Sequence, residues 1–287
     1  MSLKKSLDIT SQWFHEALTH LPHHGVSKWD NDRELVLLTG GCSGIGRQIM
    51  EDLAKADVRI VVLDITEPKF ALPYTVSFYR SDITSSDNIR SVAETIRAKH
   101  GHPTVIINNA GVSYDGTILE KSEVNIRQTF EVNVLSHFWM VREFLPNMVK
   151  ENHGHIVTMA SMGSFISLGE MADYCASKAG VLAFHESLTQ ELRLWYNAPK
   201  VCTSILHPLW VRTPMIQQLT DAGKQFKQPV LKPEAVSVAV VKQVLSQRSG
   251  QIILPGYYYP VSMVRAFPLW LQEQVRKVAS LNLRNLR

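Results

Sequence analysis

Between a short aliphatic run, Leu35-Val36-Leu37-Leu38, and a helix-like stretch through Met50 and Leu53 lies Thr39-Gly40-Gly41-Cys42-Ser43-Gly44-Ile45-Gly46. The run suits a buried strand, and glycines at 40, 44 and 46 suit a turn whose backbone must approach something closely. Strand, glycine turn and helix together form the opening unit of nucleotide-binding sheets. The turn and the helix start then offer free backbone N–H groups and the positive end of the helix dipole to an anion. Taken alone, such a turn also fits a tight corner in some other α/β protein.

The same alternation continues downstream. Val58 to Leu63, Thr104 to Ile107, Gly154 to Met159, Val201 to Leu206 and Gln251 to Leu254 read as strands, and Asp87 to Lys99, Ile126 to Met148 and Ala172 to Tyr196 as helices. Continuous apolar runs of this length are those of parallel strands covered on both faces. About seven strands with no internal repeat predict one α/β domain over residues 34–263, a doubly wound parallel sheet with helices on both faces, that is, a Rossmann fold. Residues 1–33 form an amphipathic extension, with Trp13, Phe14, Ala17, Leu18 and Leu21 at helical spacing before Pro22 to Gly25 break the pattern. Met215 to Lys232, rich in Gln and Lys, is the least regular interior stretch and reads as a substrate lid. Residues 264–287 form a basic amphipathic tail.

Composition narrows the classes. A chain of 287 residues with 45% hydrophobic and 20% charged residues is neither disordered nor a disulfide scaffold. Cys42, Cys175 and Cys202 are too few and too irregularly spaced for a disulfide framework or a zinc site, so no metal is expected and an intracellular, cytoplasmic setting is. No window approaches the roughly 18 consecutive apolar residues of a membrane span. The net charge of +4 is carried by the tail, where Arg265, Arg276, Lys277, Arg284 and Arg287 face only Glu273. A nucleic-acid reader would spread its basic patch over the fold beside a reading motif, so no nucleic-acid partner is expected.

Two further features carry chemistry. Asp64 ends the second strand, 24 residues after Gly40, where a carboxylate accepts hydrogen bonds from ribose hydroxyls and repels a ribose phosphate. With neutral Ser43 ahead of Gly44, this favours NAD as cofactor over NADP. Tyr174-Cys175-Ala176-Ser177-Lys178 sets a phenol and an ammonium four residues apart, on one face of a helix. A nearby cation stabilises a phenolate, so the pair makes a tunable acid/base; the same spacing also occurs in surface pairs.

The glycine turn, Asn108-Asn109-Ala110-Gly111 after a strand, Asn133 in a helix, Ser161 after a strand, and Tyr174 with Lys178 resemble, in order and spacing, the short-chain dehydrogenase/reductase family. Ser161 precedes Tyr174 by 13 residues, as is usual there, and the likeness runs from about residue 34 to residue 256. It implies that Tyr174 exchanges a proton with the substrate oxygen, that Ser161 hydrogen-bonds that oxygen, and that Lys178 binds the nicotinamide ribose and lowers the Tyr174 pKa. Asn133 would hold a water linking Lys178 to solvent. The same likeness implies a dinucleotide held by Gly40, Ser43, Gly44, Ile45, Gly46 and Asp64, by Asp82 and Ile83 beside the adenine, by Asn109, Ala110 and Gly111, by Tyr174 and Lys178, and by Pro208, Val211 and Thr213 at the carboxamide. Leu209 and Trp210 depart towards bulk where the family usually has Pro-Gly.

The pocket border is expected to be Met162, Phe165, Leu168, Met171, Leu209, Trp210 and Met215, nearly all apolar, although each also fits plain core packing. The chain resembles the retinol dehydrogenase and hydroxysteroid dehydrogenase branch, whose members associate with the endoplasmic reticulum and lipid droplets. An NAD-linked oxidoreductase interconverting a hydrophobic alcohol and its ketone or aldehyde is expected, against an NADPH-dependent biosynthetic ketoreductase or a catalytically silent dinucleotide-binding protein. The resemblance also implies a homodimer or homotetramer paired through the helices at 126–148 and 172–196. Phe267, Leu269, Trp270, Leu271, Val275 and Val278, with Arg276 and Lys277, suit either peripheral membrane contact or a second subunit.

Overall fold

Strand β1 (Leu35–Thr39) is buried along its whole length and pairs in parallel with β2 (Arg59–Asp64) on one side and β4 (Val105–Asn108) on the other. This places it at the centre of the computed structural model, which describes residues 28–221, 226 and 228–284. Beyond β2 lies β3 (Val76–Arg80), and beyond β4 come β5 (Gly154–Met159) and β6 (Val201–Pro208). A two-residue strand β7 (Trp210–Val211) pairs with β8 (Val230–Leu231) in a separate small sheet, and β9 (Gly250–Leu254) closes the main one. The order β3-β2-β1-β4-β5-β6-β9, parallel at every pairing, is the doubly wound sheet expected from the sequence. The chain winds outwards in opposite directions from β1 and β4, which opens a crevice above their C-terminal ends.

Alternate residues of each strand feed opposite cores. Val36, Leu38 and Val62 pack with Ile49, Met50 and Leu53 of α1 (Gly44–Lys55), on a face that later receives Val236, Val240 and Val244. Leu35, Leu37 and Val61 face the other side. They meet Ile89, Ala93 and Ile96 of α2 (Ser86–His100), the buried stripe of α4 (Ser136–Glu151) and Phe184, Leu188 and Leu192 of α5 (Ala172–Leu194). These side chains recur every three or four residues, so each helix buries one stripe. Ahead of α4 in the chain comes α3 (Glu123–Phe130), which packs against α5 and is started by Ser122, whose hydroxyl accepts the Asn125 N–H.

Several expectations change. The helix read as continuous from Ile126 to Met148 is interrupted by a π-helical turn at Glu131–Leu135 between α3 and α4. β3 is not apparent in the sequence, because as a half-buried edge strand its Val-Ser-Phe-Tyr-Arg lacks an aliphatic run. The lid stretch contains α6 (Gln217–Asp221) and β8, and is followed by an unforeseen helix, α7 (Pro233–Ser246), which covers the first core. The tail forms α8 (Leu269–Arg284) after a 3-10 stretch, Gly256–Ala266. The helical pattern from Trp13 to Leu21 lies outside the described residues.

Candidate active site

A cleft of about 1220 Å³ runs across the C-terminal edge of the sheet. At one end is the glycine turn. Gly40 has φ +68° and Gly44 φ +52°, the left-handed region where a side chain strains the backbone. A Cβ on Gly46 would stand 2.0 Å from the Gly40 carbonyl oxygen, so only glycine lets α1 start this close to the turn. Ser43 caps α1 without a side-chain hydrogen bond and no acid sits in the first turn, which leaves the Gly44 to Gly46 backbone facing the cleft. This turn, bare of side chains at Gly40, Gly44 and Gly46, fits the diphosphate of a dinucleotide.

Beside the turn, Asp64 is held from both carboxylate oxygens, by the Cys42 N–H at 3.0 Å and the Thr66 N–H at 2.9 Å. Burial, with the Asp64 charge next, pushes the Cys42 thiol up to about 12, so it stays protonated. Arg47 is engaged elsewhere: Nε meets Glu51 at 2.8 Å and the guanidinium stacks 4.1 Å above the Phe70 ring. Asp82 accepts from the Thr84 N–H and hydroxyl at 2.9 and 2.8 Å, and with Ile83 it lines the same wall. The β1 and β4 ends are tied together by Asn109, whose amide nitrogen donates to the Thr39 and Gly40 carbonyls at 3.0 and 3.1 Å. Ala110 and Gly111 continue this wall, and Pro208, Val211 and Thr213 stand across from it.

Tyr174 and Lys178, on the first two turns of α5, reach the middle of the cleft with Ser161, which follows β5. Lys178 is 3% exposed and donates to the Met159 carbonyl at 2.9 Å, with Nζ 5.8 Å from the Tyr174 ring centre. Burial lowers the ammonium to about 8. Burial also pushes the Tyr174 phenol up to about 12, although a hydrogen bond with Ser161 works the other way. The sequence reading expected Lys178 to pull the phenol down; loss of hydration is instead the largest cause of this rise, and Lys178 is not among the groups that lower it here. The Ser161 hydroxyl oxygen accepts the Gly163 N–H at 3.1 Å, which fixes the side chain's direction.

Asn133 stands behind the cleft rather than in it. It is fully buried in the π-helical turn, accepts the Val112 N–H at 2.8 Å, and donates to the Val112 carbonyl at 2.9 Å and the Ser177 hydroxyl at 3.1 Å. A Cβ on Gly111 would meet Asn133 Oδ1 at 3.4 Å and Lys178 Nζ at 3.6 Å, so the two side chains bracket a bare backbone. The first turn of α5 is pinned by a buried ion pair between Asp173 and Lys121, which Thr129 joins with a hydroxyl donated at 3.1 Å.

The apolar end is lined by Met162, Leu168, Met171, Leu209, Trp210 and Met215, as the sequence suggested. Phe165 is not among them: it is 7% exposed and its ring packs 4.5 Å from that of His207, beneath the pocket wall. The tail supplies what sequence reasoning missed. Gln274, Val275, Val278 and Ala279 of α8 line the cleft, joined by Tyr258 and Val261. Arg265 fastens this segment, its guanidinium donating to the Phe165 and Ser164 carbonyls at 3.1 and 3.3 Å, and Ser280 accepts the Gly169 N–H at 3.0 Å. The amphipathic pattern was legible; that part of its apolar side borders the cleft of the same chain was not. Among the described residues no group of His, Cys, Asp and Glu could hold a metal ion.

Residues 34–224 match the sequence model of the short chain dehydrogenase family. Dehydrogenase RED2 of Cochliobolus heterostrophus is 42% identical over 62% of this chain and 68% of its own length. Estradiol 17-beta-dehydrogenase 11 of Homo sapiens is 34% identical over 82% of this chain and 79% of its own. Among solved structures, 4-hydroxyisoleucine dehydrogenase complexed with NADH superposes with a TM-score of 0.69 at 18% identity, over 78% of this chain and 98% of that one. ElxO with NADP bound gives 0.67 at 20%, over 77% and 97%.

Proposed function

The chain belongs to the short chain dehydrogenase family, in its hydroxysteroid and retinol dehydrogenase branch, and on that premise we propose an NAD(H)-linked dehydrogenase of a hydrophobic alcohol with Tyr174 as its acid/base. That it is an oxidoreductase acting on CH–OH groups with a nicotinamide dinucleotide follows from the family. The finer reading rests on one observation: Ser161, Tyr174 and Lys178 meet in a cleft with the held Asp64 carboxylate at one end and methionine, leucine, valine and tryptophan side chains at the other.

When bound, the nicotinamide supplies the hydride chemistry. The protein moves the proton and holds the reactants. The Tyr174 phenol exchanges its proton with the substrate oxygen, and Ser161 hydrogen-bonds that oxygen. Lys178, fixed by the Met159 carbonyl, keeps a positive charge beside the phenol and, in this reading, meets a ribose hydroxyl. Asn133 anchors the backbone at Val112 and the Ser177 hydroxyl behind them. Asp64 selects NAD, since a ribose phosphate would face its charge while Arg47 is committed to Glu51 and Phe70. The apolar end excludes water from a bulky substrate, a reading in keeping with a relative named for estradiol.

The test follows NADH formation over a panel of retinoid, steroid, terpenoid and polyketide-like alcohols, with Tyr174→Phe alongside. NAD-dependent turnover that falls by about 10²- to 10⁴-fold in the variant, while NADH still binds, is the expected result. Turnover that survives in Tyr174→Phe, or a requirement for NADP, overturns the corresponding part of the reading.

Two partner assignments accompany it. Phe130 and Phe138, on and beside α3 and α4, and Leu194 and Trp195 at the end of α5 are exposed, which suits pairing of two copies through these helices. Phe267, Leu269 and Trp270, about half to two-thirds exposed on a segment that also carries Lys277 and Arg284, suit peripheral contact with an anionic lipid surface. No helix among the described residues is long and apolar enough to cross a membrane. Co-sedimentation with phosphatidylserine-containing vesicles should be lost in Leu269→Ser/Trp270→Ser; unchanged binding removes the lipid assignment.

A further inference from the structure

His207, the next-to-last residue of β6, is fully buried, and nothing in the reaction described above uses it. Its Nδ1 lies 3.1 Å from the backbone carbonyl oxygen of Ser161. A carbonyl only accepts, so Nδ1 carries the proton and Nε2 is the bare nitrogen. Burial pushes the imidazole pKa down to about 4, against the bond to Ser161, and the nearby Lys178 charge adds to the lowering. The ring is therefore neutral at working pH. Nε2 is buried with no hydrogen-bond partner among the described residues.

That combination is costly for a core position packed on Phe165. An apolar ring would fill the same space and strand no nitrogen. The one thing an apolar ring cannot do is donate to Ser161. The ladder between β5 and β6 ends just before this point. The β5–β6 ladder reaches the Ala160 N–H, which donates to the Leu206 carbonyl at 2.9 Å; then Pro208 arrives with no N–H to continue it. The imidazole takes over just past the last ladder bond. With the Ser164 N–H, which donates to the same Ser161 carbonyl at 3.0 Å, it holds the Ser161 peptide from two sides.

We infer that His207 is a positioning residue: by holding the Ser161 carbonyl it fixes the serine backbone, and through it the direction of the hydroxyl that meets the substrate oxygen. This rests on the role given to Ser161 above. His207 touches neither substrate nor dinucleotide, so its effect falls on kcat and leaves dinucleotide affinity alone.

The test compares His207→Phe, which keeps a ring against Phe165 but has no donor, with His207→Asn, whose amide can donate from about the place of Nδ1. Two readouts are taken on the full chain. One is kcat and KM with NAD and whichever panel alcohol is turned over. The other needs no substrate: hydrogen exchange of the Gly163 amide, which donates to the Ser161 hydroxyl and so reports its direction. The phenylalanine variant should lose about tenfold or more in kcat with NADH affinity within twofold of the parent, and its Gly163 amide should exchange at least tenfold faster. Asparagine should restore most of both, even where it melts at a lower temperature. Should phenylalanine not fold, His207→Leu takes its place. Parental kcat and Gly163 exchange in the donor-less variant overturn the inference, and so do equal losses in the phenylalanine and asparagine variants, which would make His207 a packing residue only. If no panel alcohol reacts, the proposed substrate class fails while the Gly163 comparison still decides the role of His207.

Discussion

Replacing Asp64 by alanine should weaken NADH binding and narrow the preference over NADPH. The carboxylate is oriented by the Cys42 and Thr66 amides, which in the proposed reading makes it a preorganised acceptor for ribose hydroxyls. A hydrogen bond to a charged group contributes about 1.5–3 kcal/mol, which at about 1.4 kcal/mol per decade predicts roughly a 10- to 150-fold loss of NADH affinity. A 2′-phosphate carries a charge of about −1.5 to −2. At about 5 Å each unit of that charge costs roughly 0.8 kcal/mol in water and about 3 kcal/mol at an effective dielectric of 20, so the parent should disfavour NADPH by about 1 to 6 kcal/mol. Arg47 does not offset this while it stays with Glu51 and Phe70. The assay is a fluorescence titration of parent and variant with NADH and NADPH at fixed ionic strength. A variant that binds NADH as tightly as the parent, or a parent that favours NADPH, refutes the reasoning.

Removing one partner of the buried Asp173–Lys121 pair, whose side chains are 5% and 3% exposed, should be severe. Asp173→Asn strands a buried ammonium and should cost about 3–5 kcal/mol, seen as a fall in Tm of roughly 5–10 °C; Lys121→Met/Asp173→Leu should recover much of it. A change under 1 kcal/mol would mean the pair is hydrated. At the opposite edge of the sheet, burial would raise the Glu34 carboxyl, but hydrogen bonds from His153, Thr104 and Gln247 win and hold it below its ordinary 4.5. Its folded pKa is depressed, so its contribution is present above 4.5 and is lost as pH falls from there through the folded value. Melting curves of the parent and Glu34→Gln should therefore converge below pH 4.5; a gap that persists or widens in acid contradicts this.

The parts legible in the sequence are those a local stretch determines by itself. The glycine turn reads directly because Gly46 has no room for a Cβ beside Gly40, and Tyr174 and Lys178 read directly because a helix of any origin sets them on one face. The central strands are equally plain, being aliphatic on both faces. What stayed hidden depends on partners distant in the chain. Val275 and Val278 show an apolar face, but the cleft that they help to line is shared with Met171 and Leu168, about a hundred residues away. Phe165 and Met162 look alike in sequence, and only the tertiary packing, Phe165 against His207 and Met162 towards the cleft, tells them apart. The rise in the Tyr174 pKa needed the depth of its burial, which a four-residue spacing does not encode.

The π-helical turn at Glu131–Leu135 sets a constraint of phase rather than of chemistry. Each residue of an α-helix advances the direction of its side chain by about 100°, and a π-turn inserts one residue beyond that count. Upstream of the turn lies Thr129, joined to Asp173; inside it lies Asn133; downstream come Met140, Phe144 and Met148 facing the core. All point inwards because the extra residue resets the rotation between them. Substitutions at Val132 or Val134 change a volume and leave that angle intact, whereas loss of a single residue would straighten the helix and turn either Asn133 or the apolar stripe of α4 away by over a quarter of a revolution. The length of this segment is thus as much a part of the site as the residues in it.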